Sequence, residues 1–268
     1  MRFVNKYGPC ALVAGGSDGL GAAFAEALAR RGLNLVLIAR NKARLDETAK
    51  RIREKYSVDV SVIACDLADY EKAKNLIQEH IYTDKNNSCG TSIGILVYNA
   101  AFAPIGLFEN TSEENLSLAA AVNVRTPLLL AKLFSPQMIQ NRRGGIVLMS
   151  SLAGAQGSPN LAAYAATKSF NAVLAEGLWK ELKPHGVDVI GCCAGAVLTP
   201  GYQQAEKVKK APGTLSAKDV AEQTLNALGK GPVVIPGTVN KIARFVLTRL
   251  LTRKAAINIM SNNTGSLA

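Results

Sequence analysis

The sequence has little of several features that mark particular classes of protein. Only 19% of its 268 residues are charged and 48% are hydrophobic, a balance too apolar for an intrinsically disordered chain. No stretch approaches the roughly 20 consecutive apolar residues that a membrane-spanning helix needs. The first residues also lack the apolar core of a secretory signal. We therefore expect a soluble or peripheral protein of the cytoplasm.

Cysteine and histidine are too few and too scattered to predict a metal site or a disulfide framework. The five cysteines lie at positions 10, 65, 89, 192 and 193, and four of them fall in apolar runs. In such runs a thiol behaves as a small buried side chain. His80 and His185 stand in polar surroundings without an evident cysteine or carboxylate partner. We expect reduced cysteines in an intracellular compartment, no metal, and no serine–histidine nucleophile.

Acidic residues are scarce relative to basic ones. The chain carries 31 lysines and arginines against 20 aspartates and glutamates, a net charge of +11. The basic residues are dispersed and are not interleaved with aromatic residues, as they would be along a nucleic-acid groove. The charge excess therefore favours a soluble cationic surface, a polyanionic cofactor or an anionic membrane face, and we expect no nucleic-acid partner.

Short apolar runs alternate with helical patterns through most of the chain. Nearly continuous apolar runs are typical of strands buried on both faces, and strands that alternate with helices form parallel sheets. We predict an α/β Rossmann fold in a single domain, a seven-stranded doubly wound parallel sheet with helices on both faces, over residues 1–237. A basic helical extension follows over residues 238–268. The predicted strands are Cys10–Gly16, Asn34–Arg40, Val58–Asp66, Ile93–Ala100, Gly145–Ser151, Val187–Gly195 and Val233–Pro236.

The first predicted strand runs into a glycine-rich turn, A-G-G-S-D-G-L-G, that opens a helix. Glycines at this junction allow a tight turn and a close approach of the backbone to a pyrophosphate, which the helix N-terminus then receives. The alternative is a simple strand-to-helix turn. The turn residues predicted to bind the cofactor are Gly15, Ser17, Asp18, Gly19, Leu20 and Gly21.

Two arginines follow the second predicted strand, where a carboxylate would favour NAD(H). Arg40 ends this strand and Arg44 comes one helical turn later. A guanidinium group matches a 2′-phosphate in both charge and geometry. This position therefore predicts NADP(H), against the alternative of an ordinary surface arginine.

The third and fourth predicted strands end in residues that suit contact with an adenine ring or a protein backbone that lies along the cofactor. Asp66, followed by Leu67, can accept a hydrogen bond from the adenine amino group, or it can cap the following helix. Asn99, Ala100 and Ala101 offer small residues at the same edge of the sheet. Ligands in such sheets bind beyond the carboxyl ends of the strands.

A serine, a tyrosine and a lysine form the candidate catalytic group. Ser151 ends the fifth predicted strand, and Tyr164 and Lys168 are four residues apart on the next helix, so that they share one face. A nearby cation lowers the pKa of a phenol, which would make Tyr164 a general acid or base near neutral pH. Ser151 can donate a hydrogen bond to a carbonyl oxygen that gains charge.

These motifs, together with Y-N-A-A, Y-A-A-T-K and A-G-A-V-L-T-P, resemble the ordered motif set of the short-chain dehydrogenase/reductase family over residues 7–237. The resemblance implies hydride transfer between nicotinamide C4 and a carbonyl or carbinol carbon. It implies that Tyr164 is the acid/base, that Lys168 holds the nicotinamide ribose and that Ser151 polarises the carbonyl. Asn123 matches the residue that holds a water in the proton relay. Gly195, Val197 and Thr199 match the segment beside the nicotinamide.

The resemblance is strongest to hydroxysteroid dehydrogenases, long-chain 3-oxoacyl-CoA reductases and related bacterial oxidoreductases. It implies a homodimer or homotetramer and a substrate lid over residues 200–217. Lysines in the lid, Lys207, Lys209 and Lys210, would suit an anionic acyl thioester, unless they are only a solvated charge run. Ala194 replaces the proline usual before Gly195.

The extension predicts a basic helix over residues 240–260. Its apolar stripe contains Ile242, Val246, Leu250 and Ile257, edged by Arg249 and Arg253. Such a helix can lie on anionic lipid, cover the body of the protein or contact another subunit.

Two functions remain consistent with the sequence. The first is an NADP(H)-dependent reductase of a ketone or 3-oxoacyl group. The second is a catalytically silent nucleotide-binding sensor or membrane-associated scaffold with the same fold. The presence of Ser151, Tyr164 and Lys168 favours the enzyme.

Overall fold

A computed structural model describes residues 3–82, 89, 92–199 and 211–264. Its main sheet has seven parallel strands in the order β3-β2-β1-β4-β5-β6-β9, and β7 and β8 form a separate parallel pair. This arrangement confirms the predicted doubly wound fold. The strands are β1 Cys10–Ala14, β2 Asn34–Ala39, β3 Val60–Ala64, β4 Ile95–Tyr98, β5 Gly144–Ser151, β6 Val187–Ala194, β7 Val197–Leu198, β8 Leu215–Ser216 and β9 Val233–Val234.

Helices cover both faces of the main sheet. They are α1 Phe3–Tyr7, α2 Gly19–Ala29, α3 Lys42–Lys55, α4 Tyr70–Tyr82, α5 Glu113–Ala120, α6 Thr126–Gln140, α7 Ala162–Leu182, α8 Ala217–Ala227, α9 Thr238–Phe245 and α10 Arg253–Thr264. A π-helical segment, Ala121–Arg125, joins α5 to α6.

Successive residues of β1 enter opposite cores, as the alternation of side chains along a strand requires. Ala11 and Val13 pack in one core with side chains of α2, α3 and α8. Leu12 packs in the other core with side chains of α4, α6 and α7. Every residue of β1 is buried, which explains why its sequence is apolar without alternation.

The order of the strands reverses beside β1, because β2 lies on one side of it and β4 on the other. Crossover helices on either side of this point lie on opposite faces of the sheet, which leaves a crevice at the carboxyl ends of β1 and β4. The glycine turn follows β1 and Asn99 follows β4. The fold therefore places the predicted cofactor residues around one crevice.

The segments α5, π and α6 form one continuous helix, Glu113–Gln140, that is long and apolar. By length and composition alone it could cross a membrane, with a mean hydropathy of 1.3 over its best window. In this fold it packs instead as a core helix, with Leu130, Phe134 and Met138 buried against the sheet.

The prediction of one continuous helix over residues 240–260 is wrong. The chain leaves helical geometry at Leu251, which is extended, and a new helix starts after Thr252. The Thr252 hydroxyl accepts a hydrogen bond from the Ala255 amide at 3.3 Å, which is the usual role of an N-terminal cap. The break divides the predicted stripe, so that Ile242 stays exposed on α9 while Ile257 of α10 packs near Gly157.

The cysteines also depart from the expectation that all five are reduced. The structure joins Cys10 to Cys89 as a disulfide across 79 residues. The spacing of the cysteines does not indicate this pair, because it depends on the fold that brings β1 beside the chain leading into β4. There the Gly94 amide donates to the Cys10 carbonyl at 2.8 Å. The remaining cysteines, at positions 65, 192 and 193, are free and buried.

The predicted lid falls largely outside the described residues, as do its lysines at positions 207, 209 and 210. Its last part is regular structure rather than loop, since Leu215–Ser216 pairs with Val197–Leu198.

Candidate active site

The glycine turn after β1 is held close to the end of β4. Gly15 has a φ of +81°, and a Cβ on it would lie 2.7 Å from the Ala100 amide nitrogen. A Cβ on Gly21 would overlap the Gly15 carbonyl oxygen, and Asn99 donates to that same oxygen at 3.1 Å. These positions accept only glycine because the backbone segments approach without room for a side chain.

A cavity of about 740 Å³ opens over this turn, within the usual size of a cofactor site. It brings together residues from the ends of β1, β2, β3 and β4 and from α7. The predicted residues that line it are Gly15, Ser17, Asp18, Gly19, Leu20, Arg40, Arg44, Asp66, Leu67, Asn99, Ala100, Ala101, Tyr164 and Thr199. The predicted residues that do not line it are Gly21, Asn123, Ser151, Lys168, Gly195 and Val197.

Six further residues line the cavity and were not predicted from the sequence. They are Ala39, Asn41, Cys65, Phe102, Leu118 and Val122. Four of them are direct neighbours of predicted residues at strand ends, and that proximity is a signal that could have found them. Leu118 and Val122 belong to α5 and the π segment, and nothing in their local sequence indicates a cofactor site.

The two arginines after β2 differ in their contacts. Arg44 donates to the Asp18 carboxylate at 2.7 Å, which ties the start of α3 to the glycine turn. Arg40 is exposed and forms no ion pair with any residue that the structure describes. The Asn41 side chain caps α3 by accepting from the Arg44 amide at 3.0 Å. The cap starts the helix after Arg40 and leaves that guanidinium group beside the cavity.

Asp66 does not cap α4. Its Oδ1 accepts from the Ala68 amide at 2.9 Å in a short turn, while Asp69 accepts from the Lys72 amide at 3.1 Å in the first turn of α4. The cap alternative for Asp66 is therefore wrong. Its carboxylate remains in the wall of the cavity.

Ser151, Tyr164 and Lys168 come together where β5 meets α7. The Lys168 ammonium lies 5.5 Å from the centroid of the Tyr164 ring and donates to the Met149 carbonyl at 3.0 Å. The Ser151 side chain is hydrogen-bonded to Tyr164. Tyr164 alone of the three lines the cavity, and Lys168 lies behind it, only 3% exposed.

Burial dominates the electrostatics of this group. It raises the pKa of Tyr164, and the hydrogen bond from Ser151 opposes that rise only in part. Burial lowers the pKa of Lys168 to about 8, because a charged ammonium loses its hydration inside the protein. Ser151 is the group that lowers the pKa of Tyr164, and burial outweighs it.

Asn123 lies in the π segment, fully buried. Its side chain is engaged with the Phe102 backbone, donating at 2.7 Å and accepting at 2.8 Å, and it donates to the Thr167 hydroxyl at 3.0 Å. Its carbonyl oxygen accepts from Asn171 at 2.9 Å. These bonds tie the π segment to Phe102 and to Thr167 of α7. Asn171, one turn after Lys168, is a buried partner that was not predicted from the sequence.

Comparison with known proteins places this site in a family. The sequence pattern of the short chain dehydrogenase family matches residues 9–210. A 7beta-hydroxysteroid dehydrogenase of Clostridium sardiniense is 29% identical over 90% of both chains. A very-long-chain 3-oxoacyl-CoA reductase of Phaeosphaeria nodorum is 30% identical over 97% of this chain and 78% of that protein.

Solved structures agree with the sequence comparisons. A solved structure described as giving insights into the stereoselectivity of 7beta-hydroxysteroid dehydrogenase has a TM-score of 0.88. It is 26% identical over 97% of this chain and 99% of the other. A short-chain dehydrogenase from Sphingobium yanoikuyae in complex with NADPH has a TM-score of 0.75, with 31% identity over 85% of this chain and 87% of the other. This protein belongs to the short-chain dehydrogenase family and is an oxidoreductase that uses a nicotinamide cofactor on CH–OH or C=O groups.

Proposed function

We propose that this protein transfers hydride between NADP(H) and a ketone or secondary alcohol on a hydrophobic substrate, with 3-oxoacyl thioesters among the candidates. The observation that carries the proposal is the single cavity that joins the glycine turn, Arg40 and Tyr164. A dinucleotide fits this set, because it needs a tight turn for its pyrophosphate and a cation for its 2′-phosphate.

The residues would divide the cofactor among them. The glycine turn would hold the pyrophosphate, Arg40 the 2′-phosphate and Asp66 the adenine amino group. Lys168 would hold the nicotinamide ribose, and Thr199 the carboxamide. When bound, NADPH supplies the hydride. In the reductive direction the Tyr164 hydroxyl donates its proton to the substrate oxygen, and the Ser151 hydroxyl donates a hydrogen bond to the same oxygen as it becomes negative.

Apolar side chains are exposed next to the cofactor cavity. Phe102 lines the cofactor cavity and also a smaller cavity of about 240 Å³, whose wall includes Ile105 and Leu107. Ile105, Leu107 and Phe108 are each more than half exposed, and an exposed apolar cluster of this kind is typical of a binding site. The relatives named for steroid and long-chain acyl substrates support the same substrate class.

Following the consumption of NADPH against a panel of acyl thioesters, steroids and small ketones tests this function. We expect turnover with bulky hydrophobic carbonyls and little with small ketones. Turnover of none of these substrates with either NADPH or NADH would contradict the proposal.

Replacing Arg40 by Asp should move the cofactor preference from NADP(H) toward NAD(H). The change removes the cation that faces the 2′-phosphate and adds a carboxylate that repels it, so we expect the NADP/NAD affinity ratio to fall by about 10²-fold or more. Fluorescence titration with each reduced cofactor measures the ratio. Lys50→Asp, at a side chain of α3 that is 76% exposed, is the matched control. An unchanged ratio in the Arg40 variant would refute this assignment.

We further propose that the extension contacts an anionic membrane surface. Val239, Ile242 and Phe245 project from α9 with more than half of each side chain exposed, and Leu250 is 65% exposed. The basic residues Lys241 and Arg249 lie in the same segment, and no acidic residue follows Glu222 in the sequence. Apolar side chains beside cations match a lipid surface with anionic headgroups.

The same charge pattern disfavours a second copy of this chain on that face. In a two-fold symmetric contact each patch meets its own kind, so Lys241 and Arg249 would approach their copies without any carboxylate of the extension to pair with them. Like charges at such an interface cost free energy. The predicted homodimer or homotetramer would form elsewhere, and analytical ultracentrifugation at micromolar concentration tests it. A monomer would contradict it.

The double variant Ile242→Ser/Phe245→Ser should lose membrane binding. We expect the wild type to sediment with vesicles that contain phosphatidylglycerol and not with pure phosphatidylcholine vesicles. The variant should bind at least tenfold more weakly, because each large side chain buries apolar surface that is worth about 1.5–3 kcal/mol. Val173→Ser is the matched control, since Val173 is 64% exposed on α7. Equal binding by wild type and variant would exclude this surface, and loss of self-association in the variant would assign it to a second copy.

A further inference from the structure

Asn240 is a buried polar residue in the first turn of α9, only 3% exposed. Its side-chain amide donates to the Pro236 carbonyl at 2.9 Å and to the Gly213 carbonyl at 3.0 Å. The first bond joins the first turn of α9 to Pro236, just before the helix begins. The second bond reaches a different part of the chain, the last part of the predicted lid.

The same amide lies against the segment that leaves β6. A Cβ built on Gly195 would lie 2.7 Å from the Asn240 Oδ1, closer than real Cβ atoms come to a neighbour. A Cβ on Gly213, whose φ is +80°, would also collide with this oxygen. Gly195 therefore presents its Cα to Asn240, so that the amide is a wall against which this backbone rests.

The described residues next to these two glycines are hydrogen-bonded to each other. The Leu215 amide donates to the Ala196 carbonyl at 3.1 Å, and Val197 and Leu198 pair with Leu215 and Ser216. Thr199, the next residue, lines the cofactor cavity. Asn240 therefore contacts both of the paired segments, at Gly195 and at Gly213, and Thr199 follows directly after the first of them.

We propose that Asn240 is a positioning residue for the nicotinamide half of the cofactor site. It acts through the backbone of residues 195–199 and does not touch the cofactor, and the inference rests on the NADP(H) function proposed above. Ala194 stands where the family pattern has a proline, and proline restricts the backbone on its own. In this chain Asn240 supplies the restraint from the C-terminal extension. The extension is therefore part of the cofactor site's support.

The two halves of the cofactor provide the test. Replacing Asn240 by Ala should weaken the binding of NADPH about tenfold, the amount that about 1.4 kcal/mol produces. It should leave the binding of adenosine 2′,5′-bisphosphate, which represents the adenine half alone, within about twofold of the wild type. Isothermal titration calorimetry measures both ligands. A general loosening of the fold would weaken both, and equal weakening would overturn the proposal.

A matched control separates Asn240 from the start of α9 in general. Gln223 of α8 accepts a hydrogen bond from the Gly237 amide at 2.9 Å, and Gly237 is the residue before α9. Gln223→Ala should lower the thermal midpoint without weakening NADPH. If it weakens NADPH as much as Asn240→Ala does, the role does not belong to Asn240. Should Asn240→Ala fail to fold, Asn240→Asp keeps the shape and loses the donor, and the same split between ligands is expected.

A double-mutant cycle tests the contact directly. Gly195→Ala alone should weaken NADPH binding, because its Cβ forces the segment away from Asn240. The same change in the Asn240→Ala background should cost at least threefold less, since the shorter side chain leaves room for the Cβ. Additive losses would overturn the proposal. Failure of wild-type protein to bind NADPH would instead refute the function on which the inference rests, so the two failures are distinguishable.

Discussion

Replacing Tyr164 by Phe is expected to reduce kcat about 10²–10⁴-fold while NADPH binding is largely kept. The phenol is the only titratable group of the candidate catalytic three that lines the cavity, and the substitution removes its proton without removing its ring. The hydrogen bond with Ser151 is lost, so the serine alone remains to polarise the substrate carbonyl. Following NADPH consumption and NADPH fluorescence in parallel separates turnover from binding.

Tyr70→Phe is the matched control for this prediction. Tyr70 is a buried tyrosine, 7% exposed, at the start of α4, and it does not line the cavity. Its variant should keep full turnover. Undiminished activity of Tyr164→Phe would refute the assigned chemistry, and loss of NADPH binding would show that the ring shapes the cavity more than its hydroxyl serves the reaction.

The sequence predicts the parts of this molecule that depend on local pattern. β1, with five consecutive buried residues, has the apolar run expected of a strand covered on both sides. The position of the glycine turn is also local, because it follows β1 directly, but the need for glycine is only partly local: Gly21 meets the Gly15 carbonyl within the turn, whereas Gly15 meets Ala100 after β4. Tyr164 and Lys168 share a helix, so their spacing alone predicts that they point the same way.

Contacts between distant parts of the chain could not be predicted in this way. The pairing of Cys10 with Cys89 depends on the position of the chain before β4. The wall that Asn240 forms against Gly195 depends on where the extension returns. No residue pattern records that the Lys168 ammonium faces the Met149 carbonyl. Each of these contacts requires the packed fold.

Replacing Lys168 by Met should change stability and activity in opposite directions. The lysine is almost fully buried, and burial lowers its pKa from 10.5 to about 8. At neutral pH the cost of the buried charge is therefore up to about 3 kcal/mol, at 1.36 kcal/mol for each pKa unit. Loss of the bond to the Met149 carbonyl offsets about 1 kcal/mol of the gain. We expect the cofactor-free variant to be about 2 kcal/mol more stable than the wild type.

The dependence of this difference on pH follows from the sign of the shift. Below pH 8 the ammonium is charged in both the folded and the unfolded chain, so the folded wild type bears the full cost. As the pH rises from about 8 toward 10.5, the folded chain loses its proton first and the wild type regains stability. The gap between variant and wild type should therefore close over this window. Urea unfolding of both proteins at neutral and alkaline pH measures the gap.

Activity should fall in the same variant about 10²-fold or more, because the cation that would hold the nicotinamide ribose beside Tyr164 is gone. Lys180→Met, on the exposed face of α7, should change neither stability nor turnover. The buried charge of Lys168 would then destabilise the free protein and still be needed for turnover. Such a loss of stability in exchange for activity is common at functional sites. A Lys168→Met protein that is less stable than the wild type at neutral pH would show that the ammonium is better compensated inside the fold than its surroundings indicate. The lysine would then be a structural residue.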